Sequence, residues 1–568
     1  MDSNSAFGLL EDLLEESQDD NEGSDGESDI DEAVVRNFTR DSEDQDLEDD
    51  NFEGAVANPA VADQEQVLVD LHPGPWSEDL HNVTIEDFNE PTGPPPELLH
   101  LLGNAEAHMF FLEFFPEILF TKMAFETNRY AAQSNAPASF VNVTAQEMKL
   151  FLFINIMFGL HQLPAYSHYW STDPLLGVPA VSSCMPRLRY EKISKYFHLN
   201  NNLLRFPRDD DRYDPIFKVR PVYETVRMNC IEKFRPGRDI SVDEAMIAFT
   251  GRLHFKQYIK GKPTPWGVKV WCIADQSGYL LDFEVYTGKG VVSTNGLGYD
   301  VVMALCTRYL FKYHHVFYDN YFSSVNLAEQ LLRRKTYSCS TIRTNRKGWP
   351  KNFSLTRNDG GGPRMRQIGN LVATFWYDKR AVNVLSTNAN PTMTTVSRRA
   401  PGGRVNKEIP SAVDIYNQRM GGVDLHDQYR SYYPVGRRSR KWWRCMIWFL
   451  VQVAIINGYH LYIAVWNQTP TTESKLTPLK FRLELLRWLK ASGSVRKRAA
   501  PETPRQVRGS ESHTSVRLMG RKKTCFQCRK EKKKTPRGGQ VETVYGCSMC
   551  QVHLCQGACY SQYHRDNC

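Results

Sequence analysis

Seven of the 13 cysteines fall in the last 44 residues of this 568-residue chain, and their spacing constrains how that tail can fold. The order is Cys525-x2-Cys528, Cys547-x2-Cys550, Cys555-x3-Cys559 and His564-x3-Cys568. Zn²⁺ takes four Cys or His ligands in a tetrahedron, so eight ligands imply two ions. With few apolar residues, a segment of about 50 residues is not expected to fold without its metal. An interleaved arrangement puts Cys525, Cys528, Cys555 and Cys559 on one ion, and Cys547, Cys550, His564 and Cys568 on the other. One register shift brings in His553 and releases Cys568.

The other six cysteines are scattered singly, which points to a metal site in a reducing compartment and not to a secreted disulfide framework. The start of the chain is acidic and lacks a basic stretch before an apolar one, so no signal peptide is expected. The net charge of +5 hides an asymmetry. Residues 1–54 carry 21 Asp and Glu against two Arg, a charge of −19, which leaves +24 on the rest. A body so basic suits a polyanionic partner.

Residues 1–97 read as a disordered acidic region that ends in Pro and Gly punctuation, Pro91-Thr92-Gly93-Pro94-Pro95-Pro96. A helical texture follows over 98–238. There Thr144-Ala145-Gln146-Glu147 is a capping box opening an apolar run that is too short to span a bilayer. Basic and aromatic residues interleave between Arg187 and His198, as on a nucleic-acid grip or an amphipathic structural helix. Strand-like runs begin near Asp239, and Val268–Ala274 and Tyr279–Tyr286 flank a hairpin signal at Asp275-Gln276-Ser277-Gly278. A helix is expected over Val301–Phe311. Pattern alone supports an α/β class. Cys445 to Trp466 carries no charge and is long enough to cross a membrane, but Gln452, Asn457, Gly458 and His460 favour a buried helix. Residues 491–520 open a basic linker, in which Arg496, Lys497 and Arg498 suit nuclear import or DNA-backbone contact. The zinc-type spacing of 521–568 also occurs in RING-type ubiquitin ligases, so it does not by itself choose between protein and DNA.

Four aspartates carry the candidate chemistry. Asp243 lies in Asp239-Ile240-Ser241-Val242-Asp243-Glu244-Ala245-Met246-Ile247, where apolar and polar residues alternate as in a half-buried strand. Asp319 ends the strand-like run His315-Val316-Phe317-Tyr318. Asp424 and Asp427, in Gly421-Gly422-Val423-Asp424-Leu425-His426-Asp427, share one face if the stretch is helical. Convergent carboxylates suit Mg²⁺ or Mn²⁺, and a metal pair serves phosphodiester displacement.

With Lys218-Val219-Arg220-Pro221, Gly251-Arg252, Ile342-Arg343 and Asn345-Arg346, these blocks resemble the catalytic core of the piggyBac family of DNA transposases, from about residue 100 to the C-terminus. The resemblance implies an RNase H-like catalytic domain over 239–431, with an insertion at 345–410. It also implies a helical dimerisation and DNA-binding domain split into 98–238 and 432–490. Asp243, Asp319 and Asp424 would hold Mg²⁺ or Mn²⁺, with Asp427 as a fourth acid. Arg440 and Lys441 would neutralise phosphates, and Trp442, or its neighbour Trp443, would stack on a base. The Cys-rich module, with two Zn²⁺, would bind the transposon end. Double-stranded DNA with TTAA target sites, a homodimer, nuclear localisation and no membrane complete the expectation. The other reading is a domesticated descendant that binds DNA or chromatin without catalysis.

Overall fold

The computed structural model describes residues 75–568, apart from 102–105, 263, 289–293, 354–361, 401–402, 469–473, 494–512, 519 and 568. Helices α1 (Ala107–Phe114), α2 (Glu117–Gln133), α3 (Ala145–Leu160), α4 (Arg187–Tyr196) and α5 (Arg220–Glu232) come first. The capping box is realised at α3. Thr144 Oγ1 accepts from the Glu147 N–H at 3.2 Å, and Glu147 Oε2 accepts from the Thr144 N–H at 3.1 Å. From Leu150 to Gly159 the helix is buried on every side, as so apolar a stretch must be in water, and its one amide, Asn155, donates to Phe151 O at 2.8 Å.

Strands β1 (Asp239–Ala248), β2 (Lys256–Tyr258), β3 (Trp266–Asp275) and β4 (Leu280–Val285) precede α6 (Leu297–Cys306) and β5 (His315–Tyr318). Then come α7 (Val325–Arg333), β6 (Tyr337–Thr341), β7 (Arg364–Ile368), β8 (Leu371–Tyr377) and β9 (Ala381–Ser386). They build one nine-stranded mixed sheet in the order β2-β3-β1-β5-β6-β9-β8-β7, with β4 beside β3. Strand β1 pairs antiparallel with β3 and parallel with β5, so it lies inside the sheet. The segment expected as an insertion is built differently. Its strands β7 to β9 extend the main sheet, because the alternating runs Leu371–Tyr377 and Ala381–Ser386 pair with each other and then with β6. Strands β10 (Met393–Ala400) and β11 (Gly403–Pro410) form a separate ribbon that leads into α8 (Ser411–Arg419) and α9 (Gly422–Tyr432).

Helix α10 (Trp442–Gln468) is long and apolar enough to cross a membrane, yet 89% of its most apolar window is buried inside the protein. Two of its polar residues find partners there. Asn457 Oδ1 accepts from Leu280 N–H at 2.9 Å, and its Nδ2 donates to Leu280 O at 2.8 Å, closing the edge of β4. Gln452 Nε2 donates to Arg430 O at 3.1 Å. Helix α11 (Pro478–Gly493) packs on α3 and α1, and one continuous apolar core runs from α1 through β1, β3 and β4 to α10 and α11. The two helical stretches and the sheet therefore form a single compact unit ending at Gly493.

Residues 1–74 of the acidic region lie outside the described residues, as do Arg496, Lys497, Arg498 and Cys568. From residue 75 the chain departs from the disorder expected up to residue 97. It runs as an extended strap whose N–H groups are taken by side chains of the body: His81 by Gln367 Oε1 at 2.9 Å, Val83 by Asn390 Oδ1 at 3.0 Å, and Glu86 by Tyr337 Oη at 2.8 Å. Long-range partners of this kind leave no local sequence signal.

The second unit spans 494–568. Short ribbons pair Ser515–Arg517 with Tyr545–Cys547 and Lys523–Thr524 with Glu542–Thr543, and the short helices are Phe526–Lys530 and Ala558–Asn567. Its core is small: Cys525, Cys528 and Leu554 are buried, with Phe526, Tyr560 and Tyr563 packed on them.

Candidate active site and metal centres

Burial dictates the character of Asp243. It faces Cys272 across the β1–β3 ladder and is 5% exposed. Desolvation pushes its carboxyl up to about 7, Glu244 and Asp319 push the same way, and Lys262 only partly opposes them. The Val242–Tyr318 register places Asp319, the residue just after β5, level with Asp243 on the neighbouring strand. One Asp319 oxygen accepts from the Tyr321 N–H at 2.9 Å.

Helix α9 brings the other two acids. Its N-terminus lies so close to the sheet that a Cβ on Gly422 would stand 2.4 Å from Asp275 O and 2.5 Å from Ser241 Oγ. Ser241 is two residues before Asp243 on the same face of β1. The packing of α9 on β1 and β3 is fixed further by His426, whose Nδ1 lies 3.0 Å from Gly278 O. Asp424 then lines an open depression with Gln276, Gln418, Gly421, Leu425 and Gln428. Asp427 is engaged differently: it pairs with Arg430 at 2.6 Å, and Arg430 also donates to Met246 O on β1 at 3.3 Å.

Asp243, Asp319 and Asp424 make no ion pair among the described residues, whereas Asp427 does. Two lysines stand nearby and are held by Glu244 instead. Lys262 Nζ is 3.4 Å from Glu244 Oε1, and Lys269 Nζ is 3.9 Å from Glu244 Oε2. Burial lowers the pKa of the Lys262 ammonium, but Asp243, Glu244 and Asp424 outweigh it, so the pKa is raised. For Lys269, which lies over the Trp271 ring at 3.8 Å, burial wins and the pKa is lowered against the pull of Glu244, Asp319 and Asp243. Sequence reasoning missed Glu244, Lys262 and Lys269. Only Glu244 left a trace, as a polar residue in the strand-like run of β1.

An all-oxygen donor set with a desolvated, under-compensated carboxylate fits a hard divalent cation such as Mg²⁺ or Mn²⁺. Among the described residues the three carboxylates do not draw together as tightly as the two Cys/His groups of the second unit, whose ligand atoms lie within 4.8 Å of one another.

Those two groups are Cys525, Cys528, Cys555 and Cys559, and His513, Cys547, Cys550 and His564. The fold thus brings Cys547, Cys550 and His564 together with His513, where the spacing had suggested Cys568. His513 joins because Ser515–Arg517 pairs with Tyr545–Cys547, which delivers the preceding residues to the knuckle. His553 joins neither group and lies 3.1 Å from Thr543 O. Burial pushes the Cys547 thiol up, but the Cys550 N–H, His513 and His564 outweigh it and bring it down to about 6, the thiolate form that a metal needs. In the other group burial and neighbouring thiols push Cys528 and Cys555 up to about 11, crowding that a cation relieves. Both donor sets fit tetrahedral Zn²⁺.

Of the residues proposed to touch DNA, Arg440 and Lys441 are exposed. Trp442 is half-buried, edge-on to Phe255 at 5.7 Å, whereas Trp443 is 3% exposed in the core. Trp442 is thus the better placed of the two for a ligand. The β2–β3 hairpin adds an unforeseen pair, Tyr258 at 54% and Trp266 at 46% exposure, with Lys256 Nζ over the Trp266 ring at 4.8 Å.

A family model described as Transposase IS4 matches residues 106–459. The chain is 29% identical over 394 residues to human PiggyBac transposable element-derived protein 2, covering 66% of this chain and 65% of the relative. It is 28% identical over 451 residues to human PiggyBac transposable element-derived protein 3, covering 75% of this chain and 71% of the relative. A solved piggyBac transposase in a synaptic complex with hairpin DNA superposes with a TM-score of 0.63 at 22% identity, over 82% of this chain and 98% of that one.

Proposed function

The chain belongs to the piggyBac transposase family, and we propose that it is a metal-dependent DNA transposase that cuts and joins strands at TTAA sites. The observation that carries this reading is the packing that sets Asp319 level with Asp243 across the β1–β5 register and lays α9, with Asp424, against Ser241 on the face of β1 that carries Asp243, beside two lysines. Asp243, Asp319 and Asp424 would hold Mg²⁺ or Mn²⁺ in an RNase H-like core spanning 239–431. Such ions activate a nucleophile and stabilise the leaving oxygen of an in-line displacement. The protein's own part is electrostatic and positional. The lysines offset phosphate charge, Asp427 acts through Arg430 to hold α9 on β1, and Trp442 offers a face for a base. The second unit would bind the transposon end on two Zn²⁺, held by Cys525, Cys528, Cys555 and Cys559 and by His513, Cys547, Cys550 and His564. Double-stranded DNA as partner, a homodimer and nuclear localisation belong to the same proposal.

A second reading, a domesticated DNA-binding descendant without catalysis, is favoured by one observation: the human relatives are named as transposable element-derived proteins. One experiment separates the two. Wild-type protein, Asp243→Ala, Asp319→Ala and Asp424→Ala are compared for binding and strand cleavage of TTAA-flanked end DNA in Mg²⁺. The transposase reading expects cleavage by the wild type, loss of it in each variant, and DNA binding retained in all. Binding without cleavage by the wild type supports the domesticated reading.

A further inference from the structure

The reading above gives Lys262 phosphate charge to offset but no part in holding the carboxylates before a cation binds. It sits on the turn between β2 and β3, next to Gly261 at φ +86°, with 28% of its side chain exposed. Its ammonium is 3.4 Å from Glu244 Oε1 and 3.4 Å from Glu244 O, and it feels Asp243 and Asp424 as well. Glu244 is 10% exposed and is also approached by Lys269 at 3.9 Å, so it is a buried anchor for two cations. The same hairpin presents Tyr258, Trp266 and Lys256 to solvent, a combination of flat rings and positive charge that suits nucleic acid.

Lys262 is held by Glu244 within the field of Asp243 and Asp424. A divalent cation held by Asp243 and Asp424 would repel the Lys262 ammonium, and a phosphodiester brought there would attract it. A lysine on a turn, with four rotatable bonds, can answer both forces without moving the sheet. We infer that Lys262 is a further catalytic residue, one that neutralises the aspartates until the divalent cation displaces it onto the reacting phosphate, with Glu244 as its positioning residue. This rests on the metal-dependent reading above.

The consequence is a linkage between metal and DNA that needs no turnover to observe. Removing the charge of Lys262 strengthens cation binding by the free protein, because a competitor is gone. It also shrinks the boost that DNA gives to cation binding, because the phosphate no longer draws the lysine away. The test is Mn²⁺ binding to full-length protein, read from the free-ion electron paramagnetic resonance signal. It is run with and without a short TTAA-containing duplex, for wild type, Lys262→Gln and Lys262→Arg. The zinc groups are loaded with Zn²⁺ beforehand, and Asp243→Ala marks the specific sites. Lys262→Gln is expected to bind Mn²⁺ roughly tenfold more tightly without DNA, as befits loss of one nearby unit charge, and to lose most of the DNA-induced increase. Lys262→Arg, which keeps the charge, is expected to stay close to wild type. Cleavage of the same duplex at saturating Mn²⁺ should be at least tenfold slower in Lys262→Gln. Equal Mn²⁺ affinity in wild type and Lys262→Gln overturns this inference alone. So does tighter binding by Lys262→Gln with an unchanged DNA effect. Absence of Asp243-dependent Mn²⁺ binding in the wild type overturns the metal-dependent reading and the inference with it.

Discussion

Asp427 and Arg430 form a pair at 2.6 Å, and Arg430, only 12% exposed, reaches on to Met246 O. A guanidinium so buried is costly to leave unpaired. Asp427 itself is 35% exposed, so solvent screens part of the pair. Asp427→Asn is expected to lower stability by about 1–2 kcal/mol and to add almost nothing in an Arg430→Met background. Denaturant melts of the four proteins in that cycle check it, and an equal loss in both backgrounds would show that Asp427 contributes independently of Arg430. His513 offers a second residue-scale test. His513→Ala should release one of two bound zinc ions per chain under a colorimetric chelator, while His553→Ala and Cys568→Ser release none. His513 was invisible to spacing, because it lies upstream of the first knuckle and reaches its group only through strand pairing. The strand around Asp243 was legible from its alternation, but its half-burial was not met: Asp239 to Asp243 are buried on both faces, because β1 lies inside the sheet.

At the scale of elements, α9 matters because of how closely it approaches the sheet. Only hydrogen fits at Gly422 between Asp275 O and Ser241 Oγ. Gly422→Ala is expected to cost about 1–3 kcal/mol by overpacking and to lift Asp424 away from Asp243. The check is a pair of measurements: a melt, and Mn²⁺ affinity, which should weaken several-fold even where the variant is fully folded. An unchanged affinity would mean that α9 tolerates the shift and does not set the carboxylate geometry. Helix α10 shows the opposite relation between element and environment. Its composition suits a membrane, but Asn457 and Gln452 bond to Leu280 and Arg430 across the core, so the helix serves as the pillar on which α1, α5 and β1 pack. Strands β7 to β9 join the main sheet only through the pairing of β9 with β6, a long-range choice that no local pattern marks.

For the whole molecule, buried histidines make stability depend on pH. Burial brings His198 and His460 down to about 3, and His314 and His315 down to about 4, from an ordinary value of 6.5. A base with a lowered folded pKa refuses a proton that the unfolded chain accepts. Stability is therefore complete above about pH 6.5 and falls as the pH drops toward the folded values. Each such histidine contributes about 1.4 kcal/mol per pH unit within that window. Asp243, raised to about 7 by burial, opposes them over the same range, as do Asp275 and Glu284, whose carboxyls burial also raises. All 11 tryptophans precede residue 494, so tryptophan fluorescence reports the first unit without interference from the zinc-type module. The melting temperature read this way should fall steadily from pH 7 to pH 5. A flat profile would show that these histidines are solvated in solution.

By itself, the sequence determined those features that local physics can write into a chain. Strand alternation around Asp243, the capping box at Thr144, the apolar length of α10 and the Cys-x2-Cys knuckles each depend on neighbours a few residues apart. The order of the acidic blocks was legible in the same way, and with it the family. Tertiary structure alone decided which of these parts meet. The union of helices and sheet in one core, the capture of the strap at 75–93 by amide side chains, the arrival of His513 at its knuckle and the gathering of Glu244, Lys262 and Lys269 all join residues far apart in the chain. Such contacts are selected by the packing of the whole molecule, in which a buried charge or amide must find a partner wherever the fold supplies one.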